Sequence, residues 1–366
     1  MENEKSWKYN LYEKTLRLFE DIFNKNNVLS VELKEKLPEE GPAIVLSNHM
    51  NYFDPIWIAL AFHKNTKKKA HIDFMMQDKF LGKKGILSNL NGLFNSIIKN
   101  YNAHIIDRDA TTPTQIKEFI TILKDKEKVL GVFPGGQRSR TGIYNEKYNG
   151  DETRVIKMTN SAQKKGYPVK IIESAITYNN LNKKIIVSFG KVRYFGPKET
   201  SKDLLDEKIN SFTNEMWKNI GSLVKANLDS IGAYYLYDYC NELVKGKNFQ
   251  NNIYINRTKL SDDLFLIVNE ANNLNKINLD SCLLDKDYFL NEFNNFIQYW
   301  GEKKVLINTE NKVYLLNKKE ILNPKQNTGG IIKVNLVYAK NRIDHYKGLT
   351  ERINNQVKKR IYHKTV

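Results

Sequence analysis

The stretch AIVLSNHMNYFDPIW, residues 43–57, carries the clearest structural pattern in the sequence. Its apolar start, residues 43–46, predicts a short buried strand. Asp54-Pro55 predicts the start of a helix that continues through Phe62, because Pro suits the first helical position and Asp the cap before it. Polar residues fill the connection between these two elements, where open α/β sheets place their ligands.

Strands and helices alternate outward from this stretch. The pattern predicts further strands at residues 70–76, 104–107, 129–133, 168–178 and 185–192, and helices at 84–100, 112–124, 151–165 and after Ser201. Such alternation predicts an α/β fold, with a central, mostly parallel or mixed sheet flanked by helices.

Changes in composition and in the pattern of predicted elements along the chain predict three regions. Residues 1–40 form an N-terminal amphipathic helical segment, with the helix itself over 6–25, which either packs on the domain or lies in a membrane interface. Residues 41–227 form the α/β domain. Residues 228–366 form a mainly helical C-terminal domain of unknown role.

The composition favours an anionic partner. The 366 residues include 58 Lys and Arg against 41 Asp and Glu, a net charge of +17. The resulting positive field attracts nucleic acid, anionic lipid or phosphorylated small molecules, and charge alone does not choose among them. A basic run at Lys64 and residues 67–69 is either a solvated loop or a contact with anionic headgroups.

The sequence also bears on location. Cys240 and Cys282 lie far apart and without metal-ligand spacing, which argues against a disulfide framework or a zinc site and favours a reduced, cytoplasmic setting. No signal peptide and no uninterrupted apolar run of about 20 residues is visible. We therefore expect any membrane contact to be peripheral, at the cytoplasmic face.

His49 and Asp54 are the first candidate catalytic pair. An imidazole is the side chain best suited to take a proton near neutral pH. A carboxylate five residues on, across a tight turn, can reach one ring nitrogen, and the other nitrogen can then deprotonate an alcohol. The alternative is that Asp54 only caps a helix and His49 is only a polar turn residue.

A candidate anion site follows the strand at 129–133. The stretch FPGGQRSRTG, residues 133–142, combines glycines that let a backbone approach an anion with arginines whose forked donors match phosphate oxygens. Its alternative interpretation is a basic surface turn. Arg108, at the end of another predicted strand, is by itself typical of a salt-bridged surface residue.

Together these pieces resemble the glycerolipid acyltransferase family. Asn48-His49 followed by Asp54 is similar to its His-x4-Asp motif, and residues 105–108 to its second motif, which ends in Asp-Arg. Residues 133–142 resemble its third motif, and residues 168–178 its fourth. The four occur in family order and with family-like spacing over about residues 40–195, which is more specific than any one of them.

The resemblance implies a role for each matching residue. His49 would be the general base and Asp54 its orienting partner. Arg108, Gly136, Arg138 and Ser139 would bind or shape the site for the acceptor's phosphate. The acyl donor would be acyl-CoA or acyl-carrier protein, a co-substrate rather than a bound cofactor, and no metal is implied.

Three positions depart from the family pattern. Gly135 stands where the third motif has Glu, and Asn102 stands where the second motif opens with a small residue. Glu173 stands where the fourth motif has its second Pro and could supply a negative charge nearby. The double glycine and the Arg-Ser-Arg-Thr-Gly run of residues 138–142 resemble the glycerol-3-phosphate branch more than the lysophosphatidate branch. A late stretch from Tyr338 to His345 is weakly similar to a Tyr-x-x-Asn-x-x-x-His segment of the glycerol-3-phosphate branch, although His345 alone is typical of a helix face.

The sequence thus predicts a peripheral-membrane acyltransferase that moves a fatty acyl group from a thioester donor to glycerol-3-phosphate in phospholipid synthesis. Its expected partners are an anionic membrane surface, the donor and a phosphorylated glycerol acceptor. One alternative acceptor is lysophosphatidate or another lysophospholipid. An alternative of another class is a catalytically silent binder of anionic lipid or nucleic acid, against which the chain shows no known nucleic-acid motif.

Overall fold

A computed structural model gives the structure of the protein. It describes residue 14 and residues 28–51, 53–66, 71–77, 104–106, 113–125, 128–136, 138–146, 152–164, 168–195, 202–245, 252–274, 276–309, 312–322 and 334–362. The described part divides into two compact units. The first contains the described residues up to Arg138 together with 147–176 and 185–223. The second contains 139–146, 177–184 and the residues from 224 onward.

A seven-stranded mixed sheet forms the centre of the first unit. Its strands are β1 Val28–Leu33, β2 Ala43–Ser47, β3 His71–Gln77, β4 His104–Ile106, β5 Lys128–Val132, β6 Lys170–Asn179 and β7 Lys184–Tyr194, in the order β1-β7-β6-β2-β5-β3-β4. Strands β6, β2, β5, β3 and β4 run parallel. Only four residues connect β6 to β7, which is too short for a parallel crossover, so this pair is a hairpin.

Strand β2 is the core of the sheet. All five of its residues are buried, with at most 1% of each exposed, because it lies between two parallel neighbours in a sheet flanked by helices. A continuous apolar run is what such a strand requires. The helices of this unit are α1 Asp54–Asn65, α2 Pro113–Ile122, α3 Arg154–Gln163 and α4 Lys202–Leu223.

The second unit is built mainly from helices around its own hydrophobic core. They are α5 Leu228–Lys245, α6 Arg257–Asn272, α7 Lys286–Glu302, α8 Lys318–Leu322, α9 Leu336–Asn341 and α10 Lys347–Tyr362, with a short 3₁₀ turn at Ser281–Leu284. An antiparallel sheet of β8 Ile253–Asn256, β9 Leu306–Asn308 and β10 Val313–Leu316 completes it.

The α/β architecture with a helical C-terminal part is confirmed. Two details differ from the predicted pattern. Val28–Leu33 is an edge strand, although it lies in the segment predicted to be helical, and the C-terminal part contains the small sheet β8-β10-β9. The predicted helices at 6–25 and 84–100 lie outside the described residues, apart from residue 14.

Candidate active site

The loop that carries the candidate base is anchored to the sheet on both sides. It leaves β2 at Ser47 and enters α1 at Asp54. Asn48 is buried, and its side chain makes two hydrogen bonds to the backbone of the neighbouring strand β6. Its Oδ1 accepts from the Ile176 N–H at 2.8 Å, and its Nδ2 donates to the Ile176 carbonyl at 3.1 Å. The side chain of Asn48, the residue before His49, therefore bonds to the edge of β6 as the backbone of a neighbouring strand would.

His49 and Asp54 are in direct contact. The Nδ1 of His49 lies 2.8 Å from Oδ2 of Asp54, whose side chain is fully buried, while 17% of the His49 side chain is exposed. An ionised carboxylate can only accept hydrogen bonds, so in that state Nδ1 carries the proton. On the neutral ring Nε2 then holds the lone pair, which is the form that a general base needs.

Asp54 serves the loop rather than its own helix. It is the first residue of α1, and the helix has no side-chain cap at Phe53. The same Oδ2 that faces His49 also accepts the backbone N–H groups of Met50 and Asn51. The carboxylate thus points back at the loop and orients the imidazole, so the interpretation of Asp54 as a mere helix cap does not describe the geometry.

A stack of rings holds the imidazole from one face. The ring of Phe133, which directly follows β5, lies 4.1 Å from the His49 ring centroid and only 17° from parallel. The ring of Phe74 on β3 stacks in turn on Phe133, with centroids 5.9 Å apart. Gly131 makes this possible, because a Cβ there would lie 2.3 Å from a carbon of the Phe74 ring.

The start of the predicted phosphate loop emerges at the same edge of the sheet. Strands β2 and β5 are parallel, with Leu46 opposite Val132, so the residues that follow them leave from the same end. A tight turn follows, in which the Gly136 N–H donates to the Phe133 carbonyl at 2.9 Å. Gly136 has a φ of 77°, a conformation that favours glycine. Arg138 comes next in the described chain and is half-buried.

Ser139, a predicted phosphate ligand, has a buried side chain. Its hydroxyl donates to Glu146 at 2.7 Å and accepts the Gly142 N–H at 2.8 Å. Both bonds lie within the loop 139–146, so this hydroxyl shapes the loop. Contact with phosphate at Ser139 stays a prediction, and the geometry favours the shaping role.

Arg108 lies outside the described residues, as do Asn102 and residues 67–69 of the basic run. The strand before Arg108, β4, runs parallel to β3, with Ile106 opposite Gln77. Lys64 is described and exposed.

Glu173 does not act as a spare carboxylate for the site. It is buried, and Oε1 lies 3.1 Å from the Arg193 guanidinium and 3.3 Å from Nδ2 of Asn219 on α4. Burial raises the pKa of this carboxyl group, and the positive charge of Arg193 opposes the rise. The speculation that Glu173 compensates for Gly135 is therefore not supported.

Three site features were missed by the sequence analysis: the Asn48 anchor, the Phe133 stack and the Gly131–Phe74 contact. Asn48 and Phe133 stood inside the quoted motifs but had no assigned role. Their roles become visible only from the order of the strands, because Asn48 follows β2 and bonds to β6, and Phe133 follows β5, the other neighbour of β2.

Among the described residues, no group of three or more His, Cys, Asp or Glu side chains could hold a metal ion. None of the described helices is long and apolar enough to cross a membrane.

Part of the chain that contains this site is similar to a known protein family. Residues 28–172, about two fifths of the chain, match the model of the family described as Acyltransferase. This range contains both members of the His49–Asp54 pair, Phe133 and the start of the predicted phosphate loop. This segment is therefore similar to the Acyltransferase family.

A curated relative is the 1-acyl-sn-glycerol-3-phosphate acyltransferase of Bacillus subtilis (strain 168), 26% identical over 115 residues. The aligned part is 30% of this chain and 48% of the relative, so the chain spans about half the length of the relative that it matches. A solved structure, the 1-acyl-sn-glycerophosphate acyltransferase PlsC from Thermotoga maritima, is 17% identical with a TM-score of 0.37. That match covers 59% of this chain and 82% of the other, and its score is too low to bear on function.

Proposed function

We propose that this protein is an O-acyltransferase that moves a fatty acyl group from acyl-CoA or acyl-carrier protein to a hydroxyl of a phosphorylated glycerol. The observation that carries the proposal is the contact of His49 Nδ1 with the buried Asp54 carboxylate. It lies inside the segment that matches the Acyltransferase family.

The chemistry needs no protein nucleophile. Nε2 of His49 takes the proton from the acceptor hydroxyl as its oxygen attacks the thioester carbonyl carbon. The tetrahedral intermediate then collapses, the C–S bond breaks, and the imidazolium returns the proton to the leaving thiolate. Asp54 keeps the ring in the correct tautomer and stabilises the imidazolium. The products are an acyl ester and the free thiol of the carrier.

For the acceptor we propose lysophosphatidate, which carries a phosphate and one free glycerol hydroxyl. The name of the Bacillus subtilis relative supports this choice over glycerol-3-phosphate, the acceptor favoured by the sequence analysis. Glycerol-3-phosphate stays the second candidate, because Gly135-Gly136 and the Tyr338–His345 stretch resemble its branch. Arg138, with Arg108, would bind the phosphate group that both acceptors share.

We further propose that the protein works at the cytoplasmic face of a membrane as a peripheral protein. A lysophosphatidate acceptor is itself held in a membrane. The net charge of +17 would draw the protein to anionic headgroups.

The deciding experiment offers purified protein two labelled donors, a long-chain acyl-CoA and the matching acyl-carrier protein. Each is combined with lysophosphatidate in vesicles or with glycerol-3-phosphate in solution. We expect label in phosphatidate with lysophosphatidate as acceptor. Label in lysophosphatidate from glycerol-3-phosphate instead would move the assignment to the second acceptor. Folded protein that acylates neither would overturn the proposed function.

A further inference from the structure

Glu146 binds residues 139–141 of the predicted phosphate loop. One carboxylate oxygen, Oε2, accepts four hydrogen bonds from three consecutive residues: the Ser139 hydroxyl at 2.7 Å, the Arg140 N–H at 2.8 Å, and the Thr141 N–H and hydroxyl at 2.9 and 2.8 Å. Successive backbone N–H groups that point to one centre form an anion-binding nest. In this chain a carboxylate of the protein itself lies in that nest.

The backbone of helix α9 packs tightly against this loop. Gly142 has a φ of 90°, and a Cβ at this position would lie 2.0 Å from the Tyr338 carbonyl oxygen. The main chain of α9 therefore occupies the space that a side chain at position 142 would need. The loop and Tyr338 belong to the same compact unit.

Two more residues of the stretch that begins at Tyr338 contact the loop. The Nδ2 of Asn341 donates to the Thr141 carbonyl at 2.9 Å. The rings of His345 and Tyr144 lie 4.5 Å apart between centroids. These contacts give structural meaning to the Tyr-x-x-Asn-x-x-x-His pattern, whose three specified residues all touch the segment 139–146.

From these contacts we propose that Glu146, Tyr338 and Asn341 are positioning residues for the acceptor's phosphate. They fix the conformation of residues 139–142, which belong to the predicted phosphate loop. This assigns a role in acceptor binding to a part of the C-terminal region. The inference rests on the proposed function, because it presumes that the loop binds the acceptor.

The charge arrangement shows why these residues act through the loop. Glu146 would repel a phosphate, so it is not itself a ligand. Because its carboxylate fills the nest formed by Arg140 and Thr141, those N–H groups are directed at Glu146 rather than at a substrate. An acceptor phosphate would then be bound by side chains of the loop rather than by these N–H groups.

The test compares Glu146→Gln and Asn341→Ala with wild type. Glu146→Gln keeps the volume and removes the charge that holds four donors. Asn341→Ala removes the bond from α9. The matched control is Asn256→Ala, which removes the cap of helix α6 in the same unit without touching the loop. Melting temperatures are measured for all variants, to separate loss of folding from loss of positioning.

We expect both loop variants to raise the KM for the phosphorylated acceptor by about tenfold or more, because a misplacement of about 1 Å is enough for large effects. The KM for the acyl donor stays near the wild-type value in each. Asn256→Ala lowers the melting temperature but leaves both constants unchanged. Amide hydrogen exchange in peptides covering residues 138–143 speeds up in the loop variants only.

The inference fails if the acceptor KM of the two loop variants equals that of wild type, even when exchange in the loop is faster. It also fails if donor and acceptor constants worsen together and in proportion to the loss of stability. Failure of the proposed function looks different, because the wild-type protein would then transfer no acyl group to either acceptor.

Discussion

The imidazole of His49 lies nearly flat against the ring of Phe133, with 4.1 Å between centroids and 17° between planes. Phe133 directly follows β5, the strand beside β2, and β2 precedes the loop that carries His49. Asp54 holds the ring by its Nδ1 edge, and Phe133 supports one face. These two restraints act in different directions, so together they define the orientation of the proposed base.

Removing the stacking ring should lower activity more than stability alone explains. In Phe133→Leu the imidazole loses its support, and we expect kcat to fall by about 10- to 100-fold, as misplaced catalytic groups do. Steady-state acyl-transfer kinetics measure this. The control is Phe195→Leu, a buried ring of the same unit that packs against Phe212. Equal kcat losses in the two variants would argue against a positioning role for Phe133.

The carboxylate of Asp54 should matter through the tautomer of His49. Asp54→Asn keeps the shape but removes the charge that favours a proton on Nδ1, so we expect kcat to fall by about 10²- to 10⁴-fold. The comparison variant is Asp73→Asn, which alters another buried carboxylate, one paired with Lys128 at 3.4 Å. It should lose stability while keeping most of its activity per folded molecule. A fully active Asp54→Asn protein would contradict the assigned role.

Gly131 should be sensitive to the smallest side chain. In Gly131→Ala the new methyl group meets the Phe74 ring, and overpacking of this kind costs about 1–3 kcal/mol in the free energy of unfolding. Denaturant melts measure the cost. Gly190→Ala is the control, since its nearest contact is longer, 3.2 Å. The double variant Gly131→Ala, Phe74→Leu should recover part of the loss, and no recovery would mean that the strain lies elsewhere.

Glu173 should make the protein less stable as the pH rises. Its pKa in the folded state is raised from the ordinary value of 4.5, chiefly by burial, so between these two values the folded protein binds more protons than the unfolded chain. Stability therefore falls as pH rises through this window. Denaturant melts of wild type and Glu173→Gln, from about pH 4 to about pH 7, measure this effect. As the pH rises, the free energy of unfolding of the wild type should fall relative to that of Glu173→Gln. A difference independent of pH would contradict the assignment.

The parts of the site that depend on nearby residues were predictable from the sequence. His49 and Asp54 are five residues apart across one turn, so their contact follows from local geometry. Strand β2 could also be predicted, because a buried parallel strand needs a continuous apolar run and residues 43–46 supply one.

The parts that depend on strand order were not predictable. Phe133 supports His49 only because β5 lies beside β2, and an α/β pattern alone does not state which strands are neighbours. Glu173 was expected to replace the carboxylate that is missing at Gly135, but it pairs with Arg193. Strands β8, β9 and β10, with four, three and four residues, are too short for a clear alternation of apolar and polar side chains.

The role of His49 as general base is tested most directly by the rate of acyl ester formation by His49→Ala, measured in a single turnover with saturating donor and acceptor. Circular dichroism and melting temperature establish that the variant is folded. We expect the rate to fall by about 10²- to 10⁴-fold relative to wild type, the contribution expected of a general base. A folded His49→Ala protein that forms the ester at the wild-type rate would contradict this role.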